Sequence, residues 1–142
     1  MVFFARTRMN MSEELDDKRA DILRKAFESE EIGEIEEAIR LFKIAAKLGS
    51  NDARSKLGTI FDDVLDPSKP KRAVYWYKLG VRGGDSACAW NLAMHYAGLG
   101  RKKGYLFWLL KAESMGDLDA GKELLTGDWW AKRNSPFGYA QS

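Results

Sequence analysis

Two stretches of equal length decide the fold: residues 38–61, AIRLFKIAAKLGSNDARSKLGTIF, and residues 73–96, AVYWYKLGVRGGDSACAWNLAMHY. They align without a gap, and the matched positions hold large apolar residues, small residues or glycine. Those are the residue types that a repeated helix-packing pattern keeps. The main matches are Ala38 with Ala73, Leu41 with Trp76, Phe42 with Tyr77, Gly49 with Gly84, Ala53 with Cys88, Leu57 with Leu92 and Phe61 with Tyr96.

The alignment continues in both directions along the chain. A third copy begins near residue 105, and a partial copy precedes the first, with Leu23 in the column of Leu57 and Phe27 in that of Phe61. Repetition of this length is typical of helical arrays in which each unit buries its apolar side only against its neighbours. The third copy matches Trp76 with Trp108, Gly80 with Ala112, Gly84 with Gly116, Asp85 with Asp117, Cys88 with Ala120 and Leu92 with Leu124.

Each copy divides into two helical segments that a glycine separates. Apolar residues recur at three- and four-residue steps on both sides of Gly49, as amphipathic helices require. Glycine suits a left-handed C-terminal cap because it has no Cβ, and the residue that follows it is a good N-cap each time. The pattern predicts seven helices, with Pro70 in a first turn. They lie at about 12–28, 35–48, 51–64, 71–82, 85–97, 103–115 and 118–126.

From about residue 20 to 125 the pattern resembles the Sel-one-like repeat (SLR) family, relatives of the tetratricopeptide repeat. The resemblance rests on the columns quoted above, above all Leu57-Gly58, Trp76-Tyr77 and Gly84-Asp85. It departs from the family at Gly80, where alanine is usual, and at Asp62–Asp66, which lacks the usual loop glycines. The resemblance implies an all-α fold, a right-handed α/α superhelix (solenoid) of about three and a half helix pairs. It also implies an adaptor or scaffold role.

Length and composition predict one domain, at residues 11–126, between a flexible N-terminal extension (1–10) and a C-terminal tail or cap (127–142). The single cysteine, Cys88, allows no intramolecular disulfide. The apolar segment at the N-terminus is too short for a secretory signal, and no apolar run reaches the length of a membrane span. We therefore expect a cytoplasmic protein.

The resemblance implies that the first helix of each pair lines a concave face, where a partner protein would bind. Trp90 stands in a column whose other members, Asp21, Ser55 and Lys122, are polar. Its position predicts either an exposed anchor for a partner or a residue that packs beneath the C-terminal tail. Trp76 and Trp108, in contrast, are predicted to be core. The predicted partner-binding residues are Trp90, Met94, Trp129, Trp130, Lys25, Ser55, Thr59 and Lys122.

Charge is segregated although the net charge is only +2. Residues 28–37 hold six glutamates, whereas residues 66–111 hold nine basic residues against two acidic ones. In the repeat register these clusters fall at equivalent connections, so they predict a charged rim that steers an acidic partner surface; a merely solvated surface is the alternative. The rim comprises Glu30, Glu31, Glu34, Lys69, Lys71, Arg72, Arg101, Lys102 and Lys103.

Chemistry-bearing motifs are sparse. His95 is the single histidine and stands in the column of Ile60, which favours a packed role, and Cys88 stands in a small, buried column. We expect no catalytic residue, no metal site and no cofactor. Together with the family resemblance, this implies a non-catalytic protein–protein interaction module, and the resemblance and the small size suggest an immunity-type protein that neutralises a toxin as its sharper form. The alternatives are a nucleic-acid-binding repeat protein and a regulatory subunit of a signalling or assembly complex.

Overall fold

The computed structural model describes residues 2–135, which form eight α-helices and one π-helical segment and contain no β-strand. The all-α prediction is therefore confirmed for this part of the chain. The helices are α1 (Val2–Glu31), α2 (Ile35–Lys47), α3 (Asn51–Thr59), α4 (Pro70–Arg82), α5 (Ser86–Gly98), α6 (Lys102–Ser114), α7 (Leu118–Thr126) and α8 (Asp128–Asn134), and the π-helical segment is Ile60–Val64.

All seven predicted helices are present, and the structure differs at the two ends. Helix α1 begins at Val2, so it includes most of the segment that the sequence assigned to an N-terminal extension. At the other end, α8 forms within the predicted tail, directly after Gly127. The rest of the predicted tail, residues 136–142, which include Phe137 and Tyr139, lies outside the described residues.

The three glycine caps confirm the predicted punctuation. Gly49, Gly84 and Gly116 have φ angles of 96°, 91° and 97°, a region that residues with a Cβ seldom adopt. After α2, the N–H of Ser50 donates to the carbonyl of Ala45 and that of Gly49 to Ala46, both at 3.0 Å. This is a Schellman motif, and the same pair of bonds follows α4 and α6.

The N-caps of the next helices repeat as well. The side chains of Ser50, Asp85 and Asp117 accept hydrogen bonds from the N–H groups of Ala53, Ala87 and Ala120, at 2.9–3.1 Å. Each cap satisfies an N–H group that has no partner inside its own helix. One local sequence therefore ends one helix and starts the next at three places.

The π-helical segment is the main local departure from the predicted helices. It continues α3, and the N–H of Leu65 donates to the carbonyl of Ile60, five residues earlier. Gly33, between α1 and α2, and Gly100, between α5 and α6, both have positive φ. The equivalent connection between α3 and α4 has no glycine. The wider π turn ends this helix where a left-handed glycine cannot.

Most helices contact the helices before and after them in the chain, and α8 is the exception because it packs on α5. The core follows the repeat columns. Leu57 and Leu92 are fully buried, as are Ala53, Cys88 and Ala120. Leu124, the third member of the leucine column, is partly buried in the last unit.

Trp76 and Trp108, which the sequence predicts to be core residues, lie at the edge of the core. Both pack against it but stay partly exposed, and the next residue in each helix, Tyr77 or Leu109, is the fully buried one. Trp108 contacts both buried clusters of the molecule. These indoles therefore cover the edge of the core. Among the described residues, no helix is long and apolar enough to cross a membrane.

Candidate functional site

Helix α8 is held in place by a buried carboxylate. Glu123 of α7 is 3% exposed. It accepts hydrogen bonds from the N–H groups of Trp129 (3.0 Å) and Trp130 (3.1 Å) and from the hydroxyl of Tyr105. Those two amides belong to the first turn of α8, where the helix dipole favours a negative charge. Glu123 therefore caps α8 and joins it to α6.

Sequence reasoning missed Glu123 because its column holds Lys56 and Asn91, which predict a polar surface position. Gly127, in the left-handed conformation with φ 64°, was the available signal for a new helix start. Burial and the Glu123 hydrogen bond both raise the pKa of Tyr105. That phenol therefore stays protonated and donates to the carboxylate.

The aromatic part of the predicted binding face lies where α8 meets α5. The rings of Trp90 and Trp129 meet edge to face with centroids 6.4 Å apart. Trp90 is partly buried, whereas Trp129 is 43% exposed. Trp90 therefore packs beneath the tail helix, the second of its two predicted placements, and its role as a partner anchor stays a prediction.

Trp130 has a different place from Trp129. It packs against Tyr105 with ring centroids 5.1 Å apart, and the Lys102 ammonium lies 5.1 Å from its ring centroid. Of the two predicted tail tryptophans, Trp130 thus anchors α8, and Trp129 presents its indole to solvent. The guanidinium of Arg133 lies 5.5 Å from the Trp129 ring centroid.

A cleft of about 320 Å³ lies between the π-helical segment and α5, and Arg133, which lies against the Trp129 ring, is part of its lining. Nδ1 of His95 lies 3.3 Å from Oδ1 of Asp62, and the His95 side chain is only 8% exposed. The π turn positions Asp62 for this contact, and π turns often occur at functional sites. The lining includes Asp62, Asp63, Tyr77, Met94, His95 and Arg133.

The structure brings some predicted residues to this cleft and not others. Met94 lines it, and the hydroxyl of Thr59 lies 3.4 Å from that of Tyr77, which also lines it. Burial raises the pKa of Tyr77 to about 12, so this phenol is neutral at ordinary pH. Ser55 is partly buried, and its carbonyl accepts from Thr59. Lys122 is exposed outside the cleft lining, as is Lys25, which pairs with Asp21 at 3.2 Å.

The charged-rim residues lie at the predicted connections. Lys69 is the N-cap of α4, Arg101 is the N-cap of α6, and neither helix has an acidic residue in its first turn. Glu34 is the N-cap of α2. Glu30 is partly withdrawn from the rim by its ion pair with Lys56 at 2.9 Å. The remaining members, Glu31, Lys71, Arg72, Lys102 and Lys103, are exposed.

Chemically, the cleft offers carboxylates, a guanidinium and a thioether around an oriented imidazole. Within residues 2–135, no group of three or more histidine, cysteine, aspartate or glutamate side chains is arranged to hold a metal ion. Cys88 is free and fully buried. Burial and the neighbouring Asp85 raise its pKa to about 12, which suppresses the reactive thiolate.

No protein-family model, curated protein or solved structure matches this chain.

Proposed function

We propose that this chain is a non-catalytic protein–protein interaction module built as a right-handed superhelix of about three and a half helix pairs. The threefold recurrence of the Schellman motif with the following N-cap supports the repeat, as do helix contacts that run mainly between chain neighbours. An array of this kind presents the same helix of successive pairs on one side. The proposal covers adaptor roles and the immunity-type binding of a toxin.

The observation that carries the proposal is the exposed Trp129, which packs on Trp90 and lies against Arg133, a residue that lines the same cleft as Met94. Tryptophan is the residue type most enriched among energetic anchors of protein interfaces. A rigid indole gives up little entropy on binding, and the flexible thioether of Met94 adapts to the partner's shape. We assign Trp129 and Met94 the central apolar contact.

The polar groups of the cleft give this contact its orientation. Asp63 is exposed, and Arg133 stands on the opposite element of the lining, on α8. A bound segment with a basic group toward Asp63 and an acidic group toward Arg133 would satisfy both.

The test is quantitative affinity purification from native cells with the full chain as bait, followed by binding measurements with the purified partner. We expect Trp129→Ala and Met94→Ala to weaken binding about tenfold or more. Tyr75→Ala is the matched control, because Tyr75 is also an exposed aromatic residue, on α4, outside the cleft lining. Equal affinity for all three variants and the parent chain would overturn the proposal.

The charged rim is assigned a separate, kinetic role. Charge reversal at Lys71, Arg72, Lys102 and Lys103 should slow association with an acidic partner more than it speeds dissociation, because exposed charges act mainly on encounter. Stopped-flow or surface-based kinetics at two ionic strengths would show it. An association rate unchanged at low salt would remove the rim from the binding mechanism.

A further inference from the structure

The outer face of α6 exposes large apolar side chains. Leu106, Phe107 and Leu110 are 38%, 62% and 55% exposed. Positions three and four apart lie side by side on a helix, so these residues form one continuous apolar patch. Contiguous exposed apolar surface on a folded domain usually marks a site of contact.

The repeat register shows that this patch is particular to α6. Leu110 stands in the column of Lys43 and Lys78, and Phe107 in that of Arg40 and Tyr75. Helices α2 and α4 thus carry cationic or amphipathic residues at the two positions where α6 carries Leu110 and Phe107. Packing within the array does not require this change, because those outer positions are largely exposed in α2 and α4 as well.

The patch adjoins two depressions that share Phe107 and Trp108, whose rings meet edge to face at 5.0 Å. One, of about 690 Å³, lies between α4 and α6, and the other, of about 470 Å³, lies between Tyr96 of α5 and the first turns of α6; together they are called the α4–α6 groove. Val81 and Tyr96 complete the apolar lining. This groove has no lining residue in common with the cleft beside Trp129.

Cations surround the groove. Six line its two depressions, and no carboxylate does: Lys78, Arg82, Arg101, Lys102, Lys103 and Lys111. Across the part of the chain that the structure describes, none of the six forms an ion pair. Unpaired like charges repel one another, so an acidic partner would relieve that repulsion.

We propose that the α4–α6 groove binds an acidic amphipathic helix of another protein. The apolar stripe of such a helix would cover Phe107 and Leu110, and its carboxylates would pair with the cations on either side, such as Lys78 and Lys103. The aliphatic Leu106 and Leu110 favour a protein over nucleic acid, because they provide no flat surface on which bases stack. With the Trp129 face, the chain would then join two partners.

The test uses two labelled peptides of about 18 residues with leucines at helical spacing, one with glutamates and one with lysines at the polar positions. An oligothymidylate of about 15 nucleotides is the third probe. By fluorescence anisotropy, the full chain should bind the glutamate peptide at least about tenfold more tightly than the other two probes. No binding of the glutamate peptide, or equal binding of the oligonucleotide, would overturn the proposal.

Variants locate the contact. Leu110→Gln places an uncharged polar residue where α2 and α4 carry Lys43 and Lys78, so it should fold normally and bind the glutamate peptide about tenfold more weakly. The double change Lys78→Glu with Arg82→Glu should lower the affinity for the glutamate peptide and raise the affinity for the lysine peptide. Lys18→Glu, an exposed cation on α1 outside the groove lining, is the matched control for a single charge change. If it weakened binding as much as Lys78→Glu alone, the attraction would be non-specific and the site would be wrong.

Trp129→Ala separates this inference from the proposed function. It should leave the affinity for the glutamate peptide unchanged, since Trp129 lines neither depression of the groove. A loss of affinity in this variant would place the peptide at the α5–α8 face and overturn the groove assignment. Backbone chemical-shift changes confined to the groove, at residues 78–82, 96 and 101–111, would support it independently.

Discussion

The helices α1 to α7 form a row in which each contacts mainly its chain neighbours, and the two ends of this row are packed in different ways. At the C-terminal end, α8 folds back on α5, and the buried Glu123 caps it. At the N-terminal end, α1 continues past the end of α2, where Arg19 donates to the carbonyl of Leu48 at 3.3 Å. Residues 10–18 of α1 are all exposed. One end of the row is thus closed by a specific polar network, and the other is left open.

The difference shows what a terminal unit needs. In the part of the chain that the structure describes, α6 and α7 are followed by the single helix α8, which covers their apolar side with Trp130 against Tyr105. The first pair needs no such cover, because α1 and α2 pack the partly buried Phe27 against the fully buried Phe42, with ring centroids 5.2 Å apart.

Removing the Glu123 hydrogen bonds that hold α8 at the C-terminal end should have the largest effect on the free energy of unfolding. Glu123→Ala leaves the Tyr105 hydroxyl and two amides without their acceptor, and we expect it to lower the free energy of unfolding by about 2–4 kcal/mol. Urea unfolding measures the loss, and hydrogen exchange at the Trp129 and Trp130 amides should accelerate. The neighbouring exposed Lys122→Ala should cost about 0.5 kcal/mol or less. Equal losses in both variants would mean that the network does not hold α8.

The middle of the row allows a sharper test of the repeat itself. A Cβ on residue 80 would overlap the sulfur of Cys88, so Gly80→Ala should cost about 1–3 kcal/mol through overpacking. The same columns hold Ala45 with Ala53 in the preceding unit. The double variant Gly80→Ala with Cys88→Ala should therefore recover most of the loss in a double-mutant cycle. Simple additivity of the two single effects would contradict the shared packing column.

Alkaline pH should destabilise the fold through three buried groups, Tyr77, Cys88 and Tyr105. The folded chain raises the pKa of Cys88 and Tyr77 to about 12 and also raises that of Tyr105. The unfolded chain releases these protons at lower pH, so the free energy of unfolding should fall as pH rises from about 9 toward 12. Urea titrations across this range measure the slope, which Tyr77→Phe and Cys88→Ala should each reduce. An unchanged slope in both variants would exclude these groups as its source.

Deleting the N-terminal part of α1 should have the smallest effect on the free energy of unfolding. Deletion of residues 1–17 takes away the exposed side chains of residues 10–17 and the surface ion pair of Asp16 with Arg19. We expect a change in the free energy of unfolding of about 0.5 kcal/mol or less at low protein concentration. Deletion of residues 128–142, by contrast, removes α8 and should cost several times more. A large loss on N-terminal deletion would show that the extended part of α1 supports the row.

The helices and their boundaries could be predicted from the sequence because the signals are local. Gly49, Gly84 and Gly116 mark C-terminal caps through the absence of a Cβ, and the residue after each supplies an N-cap side chain. The columns of Leu57 and Ala53 identify the core because a repeated unit buries the same positions each time. The π turn escaped prediction, since it arises where the glycine of the other pairs is missing.

The site was only half predictable for the same reason. Trp90, Met94 and Trp129 were found because they break the polar pattern of their columns or follow the last repeat. The Asp62–His95 contact joins residues 33 positions apart, and the burial of Glu123 depends on where α8 lies. Local spacing therefore determined the helices, their caps and the core columns. The tertiary structure alone decided which polar side chains are buried and paired, because only packing brings distant groups together away from water.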